Sequence, residues 1–108
     1  MIRIPLRAAP NQSLEILLGG QNCALRLYSR IADGVERLYC DLAVNREIVF
    51  GGVVCQNMTP LKLYRHLPFR GQLLFVDMEG DAPPDWRGLD GRFRLVWLDE
   101  DETAEDAA

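Results

Sequence analysis

Residues 14–27 read Leu14-Glu15-Ile16-Leu17-Leu18-Gly19-Gly20-Gln21-Asn22-Cys23-Ala24-Leu25-Arg26-Leu27. Leu14, Ile16 and Leu18 stand at every second position, and after the two glycines so do Cys23, Leu25 and Leu27. A strand turns successive side chains to opposite faces, so each half of this stretch lines one sheet face with apolar groups. Two adjacent glycines supply the positive φ angles that a two-residue turn between antiparallel strands needs. The stretch therefore predicts a β-hairpin with one buried face.

The same period runs outward in both directions. Ile2, Ile4 and Leu6 precede it; Leu38, Cys40, Leu42 and Val44 follow, then Ile48-Val49-Phe50. Leu73 and Phe75, and later Phe93, Leu95 and Trp97, repeat it. Asp33-Gly34 and Asn45-Arg46 carry turn chemistry between these runs, because Gly, Asp and Asn tolerate the left-handed region. Gly51-Gly52 inside a strand pattern predicts a bulge or a close backbone approach. One segment breaks the alternation. Thr59-Pro60-Leu61-Lys62-Leu63-Tyr64-Arg65-His66-Leu67 opens on a capping residue followed by proline, with Leu63 and Leu67 four apart, and Pro68 closes it. That is the pattern of a short helix or a single 3₁₀ turn. Asp81 to Gly91, with Pro83-Pro84, Gly88 and Gly91, is a loop with Trp86 as its aromatic anchor. The fold class that follows is all-β: a small antiparallel barrel or sandwich of about six to eight strands, with one short helical turn near residues 59–67.

At 108 residues and 48% apolar content the chain has the size and composition of one globular domain. No apolar run approaches the roughly 20 residues of a membrane helix, so no membrane partner is expected. The opening Met1-Ile2-Arg3-Ile4-Pro5-Leu6-Arg7 has no continuous apolar core of a secretory signal, which makes synthesis in the cytoplasm the expectation. Asn11-Gln12-Ser13 and Asn57-Met58-Thr59 then read as chance matches to the glycosylation pattern. The net charge of −4 is unevenly spread: residues 99–108 hold six acids and no base. The chain divides into a single β domain over 1–98 and an acidic tail, 99–108, whose charge and lack of apolar groups predict disorder. The tail serves either as a solubilising extension or as an electrostatic arm toward a basic partner. Basic residues elsewhere are interspersed with acids, and the aromatics are spread along the chain. Neither feature forms the stripe that nucleic-acid binding requires, so no nucleic-acid partner is expected.

Candidate chemistry is sparse. His66 is the single histidine, and its neighbours Arg65 and Leu67 offer neither nucleophile nor orienting acid. Cys23, Cys40 and Cys55 are odd in number and widely spaced, matching neither a disulfide framework nor paired zinc ligands; in apolar strand contexts they read as small hydrophobes. Asp77, Glu79 and Asp81 resemble the start of a calcium loop, but Gly88 stands where the twelfth-position Glu belongs. No phosphate-cradling glycine motif occurs. The reading assigns no catalytic, cofactor-binding or metal residue and no cofactor. Arginine outnumbers lysine 11 to 1, which reflects either codon usage or a surface rich in directed interface contacts.

An ordered set of segments then adds a family resemblance. Ile4-Pro5-Leu6 leads to Pro10-Asn11-Gln12, a strand and the Gly19-Gly20 hairpin; Leu38-Tyr39-Cys40-Asp41-Leu42 follows. Leu67-Pro68-Phe69, Gly71 and Leu73, then Val76-Asp77 and Gly80-Asp81, form the most specific stretch. Arg92-Phe93-Arg94-Leu95-Val96-Trp97-Leu98 and an acidic end close it. In order and spacing the chain resembles the phage baseplate plug family of contractile-tailed phages. The resemblance implies a virion structural protein and not an enzyme, built into the tail baseplate and made in the host cytoplasm during assembly. It also implies contacts with other baseplate proteins (hub, tail tube or wedge components) and leaves room for a homo-oligomer. No catalytic residues come with it. The alternative is a small ligand-binding β-barrel of unknown ligand, which would need a concave apolar pocket.

Overall fold

The computed structural model describes residues 1–64 and 66–107. Among these residues seven strands form two antiparallel sheets: β1 (Ile2–Ile4), β2 (Asn11–Leu18), β3 (Gln21–Ala32), β4 (Val35–Val44), β5 (Glu47–Val54), β6 (Gln72–Asp77) and β7 (Phe93–Leu98). A four-stranded sheet has the order β2-β3-β4-β5 and a three-stranded sheet the order β1-β7-β6. The architecture is sandwich-like, and the strands do not close into a barrel.

The four-stranded sheet is a meander of three two-residue hairpins. Gly19 and Gly20 have φ of 57° and 79°, Asp33 and Gly34 52° and 75°, and Asn45 and Arg46 50° and 70°. Positive φ at both central residues is the turn whose twist matches that of the flanking strands. Each turn fixes the register beside it, pairing Leu18 with Gln21, Ala32 with Val35 and Val44 with Glu47. The β4–β5 register then slips around Leu42, where Gly52 has φ 65°; this is the bulge expected from Gly51-Gly52.

Between the sheets lies one continuous apolar core. Leu18, Cys23, Leu25, Leu27, Cys40 and Leu42 come from the larger sheet; Ile4, Leu73, Phe75, Leu95 and Trp97 come from the smaller. The smaller sheet is buried on its other face as well. Leu74, Val76, Val96 and Leu98 form a second cluster there, against which Met58 and Ala107 pack. That double burial explains why Leu73-Leu74-Phe75-Val76 and Leu95-Val96-Trp97-Leu98 are continuous apolar runs rather than alternating ones.

The helical turn is not where the sequence pattern placed it. Among the described residues of 59–67, which exclude Arg65, there is no helix. The segment's backbone donors go to a strand edge instead of to an intrahelical partner. Met58 N–H donates to the Phe75 carbonyl at 2.8 Å and Leu61 N–H to that of Leu73 at 3.0 Å. Lys62 N–H donates to Gln72 Oε1 at 2.8 Å. Residues 57–62 thus cover the free edge of β6, an edge that would otherwise offer unpaired backbone groups. The short helical turn sits in the expected loop, at Trp86–Gly88, where the Asp85 carboxylate accepts from Arg87 N–H. Beyond β7, Asp99 accepts two bonds from Arg70 at 2.9 and 2.6 Å, and Glu102 meets the N-terminal ammonium. A four-residue helix, α1 (Ala104–Ala107), follows.

Candidate interaction surface

The hairpin registers decide which side chains share the outer face of the four-stranded sheet. Cross-strand pairing sets Glu15, Ala24, Ala43 and Ile48 in one row. Ser13, Arg26 and Asp41 form the next row, and Asn11, Tyr28, Tyr39 and Val54 the one after it. The two central alanines carry little bulk, so the sheet surface sinks between its neighbours. The result is an open trough of about 600 Å³, floored by Ala24 and Ala43 and walled by Glu15, Arg26, Asp41 and Ile48. Ile48 is 82% exposed on its rim, and Leu17, further along β2, is 62% exposed.

Beside the trough lies a tyrosine–arginine cluster. Tyr28 and Tyr39 stack with ring centroids 5.8 Å apart and an interplanar angle of 21°. The guanidinium carbons of Arg26 and Arg30 lie 4.5 and 5.0 Å from the Tyr28 ring centroid. The Tyr28 hydroxyl donates to Asp41 Oδ1 at 2.9 Å, and Gly52 N–H donates to the same oxygen at 2.7 Å. Burial, then the Asp41 carboxylate, push the Tyr28 hydroxyl above its ordinary pKa. The cluster is thus held rigid by its own contacts. Tyrosine and arginine in a fixed arrangement beside exposed aliphatic side chains are the composition that concentrates binding energy in protein interfaces.

The residues singled out for chemistry do not converge. His66 is exposed and stacks on Tyr64 at 5.8 Å, while Cys23, Cys40 and Cys55 are all in the core. Burial raises the pKa of each thiol, and in Cys40 the neighbouring Cys55 adds to the shift. Among the described residues no group of three or more His, Cys, Asp or Glu is placed to hold a metal ion. Asp77 is buried at the end of β6 and serves as a structural acceptor. It takes Arg92 Nε at 2.9 Å and Nη2 at 3.0 Å, and the backbone N–H groups of Glu79 and Ala82 at 2.9 Å each. The Arg92 bonds, reinforced by the backbone donors, hold its carboxyl well below the ordinary carboxylate range.

The family model described as cyanophage baseplate Pam3 plug gp18 covers residues 1–101. The chain belongs to this baseplate plug family. The match spans every strand of both sheets and ends just inside the acidic tail. Comparison with curated proteins gives no match. The trough and the tyrosine–arginine cluster are what the sequence reading missed. Counting residues outward from Gly19-Gly20 and Asp33-Gly34 would have paired Ala24 with Ala43 and Tyr28 with Tyr39.

Proposed function

We propose that this chain is a structural subunit of a contractile-tail baseplate, associated with the central hub as its plug, that acts through protein–protein contacts and catalyses nothing. Membership of the baseplate plug family supports the subunit role and a place in the tail baseplate of the virion. The observation that carries the contact reading is the rigid outer face of the four-stranded sheet, with its shallow trough and exposed Ile48 and Leu17. Exposed aliphatic groups bordering a fixed Tyr–Arg cluster gain most by being covered by another protein. The partners are other baseplate proteins (hub, tail tube or wedge), met in the host cytoplasm during assembly. The division into a body, residues 1–98, and a solvated tail, 99–108, belongs to the same proposal. Amide exchange much faster in 99–107 than in 93–98 is the expected result, since among the described residues the tail's four-residue helix rests on the body through Ala107 alone.

Mixing the purified protein with the hub protein of its own baseplate and sizing the mixture tests the proposal. A co-migrating complex is expected, and separate elution at all concentrations would overturn it. The trough also favours a second reading, a module that binds a small ligand on its sheet surface. The space between the sheets is filled by Phe75, Trp97, Leu25 and Leu42, so the interior is not the pocket that reading needs. A small-molecule thermal-shift screen with hits abolished by Ala24→Leu would favour it.

A further inference from the structure

Beyond the sheet, β3 and β4 continue as a two-stranded arm. Pairing with β2 ends at Tyr28 and pairing with β5 ends at Tyr39, with one more backbone bond on each side from Pro10 and Cys55. From there Arg30 faces Arg37, Ile31 faces Glu36 and Ala32 faces Val35, with no third strand among the described residues. The arm is braced from the loop below, where Arg87 Nη1 meets Glu36 Oε1 at 2.7 Å. Its tip leaves Ile31 72% and Val35 46% exposed.

Arg30 and Arg37 are directly opposite one another on the outer face of this arm. Like charges in that relation destabilise a strand pair. Neither has a carboxylate within 4.0 Å among the described residues. Two rows down the same face is Arg26, whose Nη1 stands 4.0 Å from Asp41 Oδ2, and Asp41 is already engaged by Tyr28 and Gly52. The outer face of the arm and its root therefore carries three guanidinium groups against one carboxylate. A like-charged pair offset only by the stacking of Arg30 on Tyr28, with no carboxylate partner among the described residues, marks a site that something else completes.

The chemistry of that completion is readable. Guanidinium forks bind carboxylates in a planar, bidentate manner. Arg26 and Arg30 are four residues apart on one strand, roughly 13 Å, a span that an extended segment with acids at alternating positions would match. Nucleic acid fits less well. Base stacking needs open aromatic faces, and the Tyr28 ring lies under Arg26 and Arg30 with only 6% of the residue exposed. We propose that the three-arginine face of the β3–β4 arm is a docking site for an acidic, extended segment of a neighbouring protein subunit. The inference rests on the subunit reading and adds the chemistry of the partner.

The test is a fluorescence-anisotropy titration of a labelled poly-glutamate peptide with the full chain. Arg30→Ser/Arg37→Ser is the disabling variant and Arg3→Ser, on the other sheet, the charge control. Wild type binds, and binding weakens as salt rises. The double variant binds at least about tenfold more weakly, and Arg3→Ser stays within about twofold. Thermal melting of the double variant at or above the wild-type midpoint excludes loss of fold, since a repulsive pair has been removed. No binding by wild type, or equal loss in Arg3→Ser, overturns the proposal. So does tighter, Arg30/Arg37-dependent binding of an oligothymidylate, which would make the partner a nucleic acid. Self-association lost on deleting residues 99–108 also overturns it, since the occupant is then the tail of a second copy. The hub-mixing experiment is independent of this titration, so hub association without peptide binding sinks the docking proposal alone.

Discussion

Replacing Gly71 by alanine tests the packing logic at a single carbon. Gly71 precedes β6 with φ of 87°, and a Cβ there would lie 2.5 Å from the Leu98 carbonyl oxygen and 2.5 Å from Trp97 Nε1. Neither neighbour can move freely. The carbonyl belongs to the backbone of β7, and the indole is held by its own hydrogen bond to the Arg70 carbonyl at 3.0 Å. The left-handed backbone costs an alanine about 1–2 kcal/mol. Forcing a methyl into a filled site adds about 1–3 kcal/mol. The sum, about 2–5 kcal/mol, is a large fraction of the roughly 5–15 kcal/mol that holds such a domain. Gly20→Ala is the matched control: φ is 79°, but nothing lies within 4 Å of the added carbon. It should lose only the backbone part, about 1 kcal/mol. Urea unfolding of both variants reads the difference. If Gly71→Ala costs no more than Gly20→Ala, the close approach of Leu98 and Trp97 to Gly71 is not what requires glycine there.

Three further outcomes follow from the described geometry. Asp77 has its carboxyl held below the ordinary value of 3.8, so the stability it contributes is fully present above that pH and is lost progressively as pH falls from there toward the lowered folded value. Asp77→Asn should lower stability at neutral pH and flatten the acid side of the stability profile, measured by urea midpoints from about pH 6 down to pH 2; an unchanged slope would refute the assignment. Burial keeps all three thiols protonated, so a thiol reagent at about pH 8 should label none of them in the folded protein and all three after denaturation; fast labelling of Cys40 without unfolding would contradict the core placement. Ile48→Asp should leave the urea midpoint within about 0.5 kcal/mol of wild type, as for an exposed site, while weakening association with the hub protein; unchanged association would remove the trough rim from the contact face.

Local chemistry determined most of the larger sheet. Two-residue turns at Gly19-Gly20, Asp33-Gly34 and Asn45-Arg46 pin the register on either side of them, and the alternating apolar positions say which face is inside. From these alone follow the buried row through Leu25 and Leu42, the Ala24–Ala43 floor of the trough and the Arg30–Arg37 pair of the arm. The ordered segments from Ile4-Pro5-Leu6 to Leu98 likewise carried the resemblance to the plug family, and the family match covers residues 1–101.

What lay beyond the sequence has a common cause: it depends on partners distant along the chain. Thr59-Pro60 followed by Leu63 and Leu67 satisfies the local rules for a helix start. Yet the open edge of β6 supplies acceptors at Phe75, Leu73 and Gln72, and the segment pairs there instead. Leu74 and Val76 are buried by Met58 and Ala107, contacts that no period in the sequence announces. Periodicity reports which side of an element is apolar and turn chemistry reports its register. Neither reports which edge or face of another element will satisfy a free hydrogen bond or cover an apolar group, and that is settled only when the whole chain is packed.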